Sequence, residues 1–244
     1  DAPVRIFVMG ENVWRSETEW PLARARNTLY YLHGAGRANS LRGDGVLSVD
    51  APGDEPADSY LYNPRDPVPT RGGQLCCSSS FLGGGAYDQR PIEERTDVLV
   101  YTTPPLADPV EVTGPITVRL WAATSAPDTD FTAKLVDVAP NGYARNLTDG
   151  IIRARYREGT DRPRPIESGR VHEYTIDLWA TSNLFQAGHR IRLEIASANF
   201  PRFDRNLNTG HALGQDDQMQ PALQTIRHDA GHPSHVALPI IPRS

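Results

Sequence analysis

The chain has 244 residues, of which 39% are hydrophobic and 23% are charged, and its formal net charge is −5. This composition is typical of a globular protein with a full core, and it excludes an intrinsically disordered chain. The small negative charge gives no reason to expect nucleic acid or an anionic membrane as a partner, and no apolar run approaches the roughly 20 residues of a membrane helix.

Period-two alternation of apolar and polar residues dominates the readable segments. In RIRLEIAS (190–197), Ile191, Leu193 and Ile195 fall on one face of a strand, and charged residues fall on the other. Such alternation is typical of half-buried antiparallel strands. In chain order the predicted strands are 4–9, 28–32, 59–62, 97–102, 117–124, 131–138, 150–156, 174–181, 190–197 and 236–240.

Helical signal is weak by comparison. The stretches 15–25 and 215–227 are each predicted to hold a short helix, limited by Pro21 and Pro221. The proline-rich 52–69 and the glycine-rich 81–90 are interpreted as long surface loops, and no linker divides the chain. The sequence therefore predicts one all-β domain over residues 1–244, a β sandwich with long loops and one or two short helices.

The two cysteines, Cys76 and Cys77, are neighbours in the sequence. A disulfide between adjacent residues is strained, and the chain offers no other partner, which excludes a disulfide framework. A reducing compartment, the cytoplasm, is favoured. A vicinal pair is more often two small buried or lining residues than a redox device.

Motifs for nucleophilic catalysis are missing from the sequence. No serine has glycine at both −2 and +2, so the G-x-S-x-G elbow of serine hydrolases is absent. The run Ser78-Ser79-Ser80 is interpreted as a polar loop. We therefore assign no catalytic residue and no cofactor to this chain.

Two clusters are candidates for metal binding. His228, His232 and His235 are spaced by four and three residues, but Pro233 breaks any helix that would align them. Asp128 and Asp130 resemble loop carboxylates that bind calcium in some sandwiches, although turn caps are the commoner use. In both clusters a structural role is favoured and no metal is predicted. The sequence alone does not decide whether either cluster binds a metal.

Trp121 and Trp179 lie on the outer faces of their predicted strands. Exposed tryptophans on a sandwich stack on sugar rings, and burial beneath a loop or partner domain is the commoner reason for such a position. A stand-alone carbohydrate- or ligand-binding module is therefore an alternative function.

Seven segments, taken in order, resemble the C-terminal domain of the cocaine esterase-like acyl hydrolases, a group that includes X-Pro dipeptidyl-peptidases and α-amino acid ester hydrolases. They are PVRIFVMGENVWR (3–15), DQRPIEERTDVLVYTTPPL (88–106), VEVTGPITVRLW (110–121), DTDFTAKLVDVAPNG (128–142), DGIIRARYR (149–157), SANFPRFDRNLNTG (197–210) and HPSHVALPII (232–241). The resemblance implies a jelly-roll sandwich of galactose-binding-like topology that follows an α/β-hydrolase domain and a helical cap.

The same resemblance implies that the Ser-Asp-His triad lies in the upstream hydrolase domain, so this chain alone is expected to be inactive. The start at Asp1, without Met, favours a trimmed chain that lacks its upstream part. The expected partners are an α/β-hydrolase domain, either upstream or as a separate chain, a small ester or amide substrate, and a second copy in a homodimer.

One binding role carries over from the resemblance. In cocaine esterase-like members, a stretch after a Gly-Gly pair places two apolar side chains in the acyl pocket, and GGQLCC (72–77) is similar to it. Cys76 and Cys77 stand at those positions and would line a wider pocket.

The segment SANFPRFDRNLNTG is expected to brace strand ends or the contact with the hydrolase domain. Phe200 and Phe203 are predicted to anchor it. A charge-assisted network is predicted among Arg202, Asp204 and Arg205.

Overall fold

The computed structural model describes residues 2–75 and 83–243. Cys76, Cys77 and Ser78–Ser80 lie outside the described residues. The strands are β1 Val4–Val8, β2 Val13–Glu17, β3 Arg26–His33, β4 Val46–Ser48, β5 Asp58–Tyr62, β6 Leu99–Thr102, β7 Val110–Thr124, β8 Asp130–Val138, β9 Ala144–Arg153, β10 His172–Phe185, β11 Arg190–Ala196, β12 Ala222–Arg227 and β13 His235–Ile241. One α-helix, α1 Arg90–Glu93, and a 3-10 turn, Ala154–Tyr156, complete the described elements.

The all-β architecture predicted from the alternating pattern is confirmed. Eleven strands form one sheet in the order β5-β12-β7-β13-β3-β4-β6-β11-β8-β9, and β10 pairs with β7 outside this path. Nearly all neighbours are antiparallel, and the short β4 joins β6 by a parallel pair between Val46 and Thr102. β1 and β2 form a separate two-stranded hairpin.

β9, the last strand in this order, packs against β10 without pairing with it. Gly150 of β9 lies so close to the carbonyl oxygen of Asp177 in β10 that a Cβ atom there would be 2.0 Å from it. Only glycine allows this approach, which brings β9, at one end of the sheet order, against β10, the strand that branches from β7, around one core.

That core consists of the side chains that the alternation assigns to the inner face. In β7 these are Ile116, Val118, Leu120 and Ala122, all fully buried. β10 and β11 contribute in the same way, with Tyr174, Ile176, Leu178, Ile191, Leu193 and Ile195 at 0% exposure. Burial of this apolar surface is the main force that holds the sandwich together.

The predicted helices at 15–25 and 215–227 are wrong. Residues 13–17 form β2 and residues 222–227 form β12, and the remainder of each stretch is turn or irregular chain. Pairing with β1 in one case and with β5 and β7 in the other supplies backbone hydrogen bonds that a short, proline-limited helix lacks. The predicted strand at 150–156 also ends early, at Arg153, where the 3-10 turn begins.

Among the described residues, no helix has the length and apolar character required to cross a membrane.

Candidate functional site

The outer face of β8 and β11 is buried and charged. Lys134 Nζ donates to Glu194 Oε2 at 3.0 Å and to Gln89 Oε1 at 2.8 Å. Arg192 Nη1 donates to Glu93 Oε2 at 2.6 Å. The sequence predicted that the charges of β11 would face solvent, and this is wrong because α1 and the residues around it cover them.

This cover has a consequence for the carboxylate at the end of α1. Burial, together with the negative charge of Glu194, raises the pKa of Glu93 to about 7, although the guanidinium of Arg192 acts in the opposite direction. A buried carboxyl that binds its proton near neutral pH makes the stability of this region depend on pH.

Above this face lies the base of the glycine-rich loop, which we define as residues 72–75 and 83–87 and call the loop base. The backbone N–H of Gly73 donates to the carbonyl of Gly85 at 2.7 Å, and the reverse bond is 2.9 Å long. Gly72 has φ +71°, and a Cβ there would lie 2.4 Å from Cδ2 of Tyr87. Gly72 therefore lets the chain turn tightly against the Tyr87 ring.

Side chains of β9 fix the loop base to the sheet. The backbone N–H of Tyr87 donates to Asn146 Oδ1 at 2.6 Å, and Asn146 Nδ2 donates to the carbonyl of Gly85 at 3.4 Å. Gln74 Nε2 donates to Thr148 Oγ1 at 3.3 Å. Both ends of the loop base are thus tied to one strand.

The segment SANFPRFDRNLNTG supports the same strand and the loop base. Arg202 donates to the Asp149 carboxylate, which also accepts from Asn199 Nδ2 at 3.1 Å. Arg202 Nη2 reaches Gln74 Oε1 of the loop base at 3.4 Å. These contacts brace the interior of β9, and Arg202 links the segment to the GGQLCC loop. The prediction that the segment braces strand ends is supported by Asn206, which contacts Asp130 at the start of β8.

The predicted partners inside this segment are wrong. Arg202 pairs with Asp149 of β9 rather than with Asp204, and Arg205 lies over the ring of Phe200 at 5.3 Å. The two phenylalanines are half-buried, whereas Asn206 is buried. Its Nδ2 donates to Asp128 Oδ2 at 2.9 Å and to Asp130 Oδ1 at 2.8 Å, so an asparagine is the anchor.

Asp128 and Asp130 are held by arginines and do not cap their own turn. Arg153 donates twice to Asp130, at 2.8 and 2.9 Å. Arg155 donates to Asp128 from its backbone N–H at 3.0 Å and from Nε at 2.7 Å. The interpretation as turn caps is therefore corrected, because both carboxylates are neutralised inside the fold.

The three histidines near the end of the chain lie in three different environments. His228 is fully buried, with Nε2 2.9 Å from Asp58 Oδ2 and Nδ1 3.3 Å from Glu55 Oε2. His232 contacts Asp229 at 3.0 Å, and Nδ1 of His235 lies 2.7 Å from the carbonyl of Pro233. Over residues 2–75 and 83–243, no set of three or more His, Cys, Asp or Glu side chains has an arrangement that would hold a metal.

The two candidate tryptophans differ in their surroundings. Trp121 is half-buried and meets the ring of His232 edge to face at 5.3 Å. Trp179 is 63% exposed and lies at a bulge of β10 with φ 64°. Its backbone N–H donates to Asp177 Oδ1 at 2.8 Å. The two do not share one open aromatic platform.

The described part of the chain contains no pairing of a serine hydroxyl with a histidine ring nitrogen within hydrogen-bond distance. Cys76 and Cys77 follow the loop base directly in the sequence and lie outside the described residues. Sequence reasoning missed Lys134, Glu93 and Asn146. A signal for Lys134 existed, because the only lysine of the chain stands in the middle of a predicted strand.

Comparison with known proteins gives a match over nearly the whole chain. Residues 1–237 match the model of the X-Pro dipeptidyl-peptidase C-terminal non-catalytic domain. The chain is 51% identical over 242 residues to cocaine esterase from Rhodococcus sp. (strain MB1 Bresler), which covers 98% of this chain and 42% of that protein.

Solved structures agree with this match. An aminopeptidase from the marine sediment archaeon Thaumarchaeota archaeon superposes with a TM-score of 0.87 at 31% identity, over 99% of this chain and 41% of that one. An α-amino acid ester hydrolase gives a TM-score of 0.86 at 30% identity, over 98% and 41%. The chain thus spans less than half the length of each of these relatives, and it belongs to the family of X-Pro dipeptidyl-peptidase C-terminal non-catalytic domains.

Proposed function

We propose that this chain is the non-catalytic C-terminal domain of a serine hydrolase that cleaves small esters or amides. The observation that carries the proposal is the match of residues 1–237 to a non-catalytic C-terminal domain, together with 51% identity to a cocaine esterase of which the chain covers only 42%. In such an enzyme a serine of the α/β-hydrolase domain would attack the substrate carbonyl and form an acyl-enzyme, which water then releases.

The first role of the domain in this proposal is to stabilise the hydrolase domain, which is either part of the same polypeptide or a separate chain.

Labelling with a fluorophosphonate probe tests which part of the protein carries the catalytic serine. The intact protein should be labelled on one serine outside residues 1–244, and the 244-residue chain alone should neither be labelled nor hydrolyse an aryl ester. A labelled serine within residues 1–244 would refute the proposal.

The second role is to supply part of the acyl pocket wall through Cys76 and Cys77. Support comes from the loop base, because the Gly73–Gly85 bonds and the ties to Asn146 and Thr148 hold both ends of this loop on the sheet. A wall on a firmly held base keeps its shape and therefore discriminates between acyl groups.

Substitution of the cysteine pair tests this wall. Cys76→Leu with Cys77→Phe adds bulk, and should lower kcat/KM for a bulky acyl ester relative to an acetyl ester by roughly tenfold or more. Cys76→Ser with Cys77→Ser keeps the volume and is the control, for which the ratio should remain close to that of the unsubstituted protein. Equal ratios for both variants would exclude the cysteines from the acyl pocket.

A second candidate function rests on Trp179. Its 63% exposure and left-handed backbone, an arrangement unfavourable for a bulky side chain, present an aromatic surface of the kind that stacks on sugars. A glycan array with the purified chain tests it, with Trp179→Ala as the control. Binding that disappears in the variant would favour the carbohydrate-binding module.

A further inference from the structure

The hairpin formed by β1 and β2 turns Arg15 and Glu17 inward and its two aromatic side chains outward. Phe7 and Trp14 are directly opposite each other in the register, as are Ile6 and Arg15. Side chains of a strand alternate between faces, so Phe7 and Trp14 share one face and Arg15 lies on the other.

The inward face is held by ion pairs between partly exposed arginines and buried glutamates. Arg15 makes two bonds to the carboxylate of Glu111 on β7, with Nη1 2.9 Å from Oε2 and Nη2 2.6 Å from Oε1. Glu17 accepts from Arg15 Nε at 2.5 Å and from Arg24 Nη1 at 2.7 Å. Glu17 and Glu111 are buried, at 7% and 3% exposure, so this face of the hairpin is fixed on the sandwich.

The outward face is an aromatic surface in contact with solvent. Trp14 is 61% exposed and Phe7 38%, and their rings meet edge to face at 5.3 Å. The guanidinium of Arg5 lies over the Trp14 ring at 5.1 Å. A groove of about 390 Å³ lies beside Trp14 and is lined by Arg15, Arg24 and Glu111 of the ion pairs rather than by Phe7.

The inward face buries Val8 in the ordinary way, so the unusual feature of this hairpin is the aromatic pair that its outer face leaves in solvent. A surface hairpin gains stability by burying apolar side chains and leaving charges in water, and a two-stranded ribbon has little stability of its own. An exposed Trp–Phe pair on a hairpin whose other face is fixed by ion pairs is expected where the outer face is covered in the intact molecule. Trp and Arg are also the residue types that dominate binding energy at protein interfaces.

We propose that the outer face of the β1–β2 hairpin, centred on Phe7 and Trp14, is the surface on which the α/β-hydrolase domain docks. This inference rests on the proposed function and names its contact surface. The choice of partner follows from chain order, because a catalytic domain that precedes a C-terminal domain is joined to it through the segment leading into β1. More than half of the length of the cocaine esterase relative lies outside the match, so such a domain is large enough to cover the face.

Hydroxyl-radical footprinting of the intact protein tests the contact at residue level. Trp14 and Trp179 are almost equally exposed on this domain, at 61% and 63%, so Trp179 is a matched reference. Docking predicts that Trp14 is oxidised several-fold more slowly than Trp179 in the same sample. Oxidation of Trp14 at the rate of Trp179 would overturn the proposal.

Two further measurements identify what covers Trp14 when it is protected. A second copy of the chain would also protect Trp14, but that protection would disappear on dilution to monomer, and this outcome overturns the proposal. Fluorophosphonate labelling of the same sample tests the proposed function separately. If Trp14 is protected and no serine is labelled, the hydrolase assignment is refuted, while the docking of an upstream domain on this face still holds.

A paired substitution gives a measurement that does not depend on oxidation. Phe7→Ser with Trp14→Ser should lower the Tm of the hydrolase transition in the intact protein. Leu61→Ser with Leu223→Ser is the control, since these residues are also an exposed, directly opposite apolar pair, at 59% and 50%. Equal shifts in both variants would show that the hairpin face is not a docking surface.

Discussion

Nε2 of His228 lies 2.9 Å from Oδ2 of Asp58, and both side chains are fully buried although 170 positions separate them in the sequence. Asp58 also accepts bonds from the backbone N–H of Ala38 and from the hydroxyl of Tyr101, each at 2.8 Å. Burial alone would lower the pKa of His228, but the hydrogen bond and charge of Asp58, with the charge of Glu55, raise it. The pair therefore joins the first residue of β5 to the residue that follows β12 as a charged contact.

Replacement of the carboxylate should be strongly destabilising. We expect Asp58→Asn to lower the free energy of unfolding by about 3–5 kcal/mol, because it leaves a buried imidazole without its counter-charge. Urea unfolding followed by fluorescence measures this change. His232→Gln is the control, since His232 is only partly buried, and it should change stability by less than about 0.5 kcal/mol.

The same pair predicts a dependence on pH. Because the pKa of His228 is higher in the folded state than its ordinary value of 6.5, its stabilising contribution is complete below pH 6.5 and is lost as the pH rises through the folded pKa. His228→Gln should therefore destabilise the protein more at pH 6 than at pH 9. An equal loss at both values would mean that His228 is neutral in the fold.

The amide of Asn206 joins the 197–210 segment to two carboxylates, Asp128 and Asp130. Asn206→Ala removes both donors while the arginine partners remain, and should cost about 1–3 kcal/mol of stability. Limited proteolysis should then cut residues 207–220 faster. Asn27→Ala, at an exposed asparagine of β3, is the matched control, and similar cleavage rates in both variants would contradict the anchoring role.

Glu93 should make the protein less stable as the pH rises through the acid range. With a folded pKa of about 7 against an ordinary 4.5, its contribution is complete below pH 4.5 and is lost between pH 4.5 and 7. Glu93→Gln removes this loss, so the variant should gain stability over the unsubstituted protein as the pH increases across that range, by at most about 3 kcal/mol. Glu94→Gln, at the exposed neighbour, should show no such trend in denaturant titrations at pH 5 and pH 8.

The limits of sequence-based prediction are visible on β11. The alternation of Ile191, Leu193 and Ile195 correctly gives the core face, since burial of apolar side chains has the period of the strand itself. The opposite face was expected in water, yet Arg192 and Glu194 are buried, because the cover comes from residues around 89–93. Local periodicity carries no information about residues from a distant part of the chain that pack over the strand.

The 197–210 segment shows the same limit at the level of side-chain partners. Its charges suggested a network inside the segment, because neighbours in sequence are the only partners that a sequence displays. The structure pairs Arg202 with Asp149 instead, 53 positions away, and leaves Asp204 exposed. The resemblance to a family placed the segment outside the catalytic centre, but it did not identify Asn206 as the anchor.

Lys134 provides a direct test of the buried charged face. It is the only lysine of the chain, and its ammonium lies between Glu194 and Gln89 with the side chain 9% exposed. An amine-reactive ester should therefore modify the peptide that contains Lys134 very slowly in the folded protein and at the rate of a free lysine in urea, because reaction requires opening of the region. Rapid modification of Lys134 without denaturant would show that the cover over β8 and β11 opens readily, and a buried pair with Glu194 would then contribute little to stability.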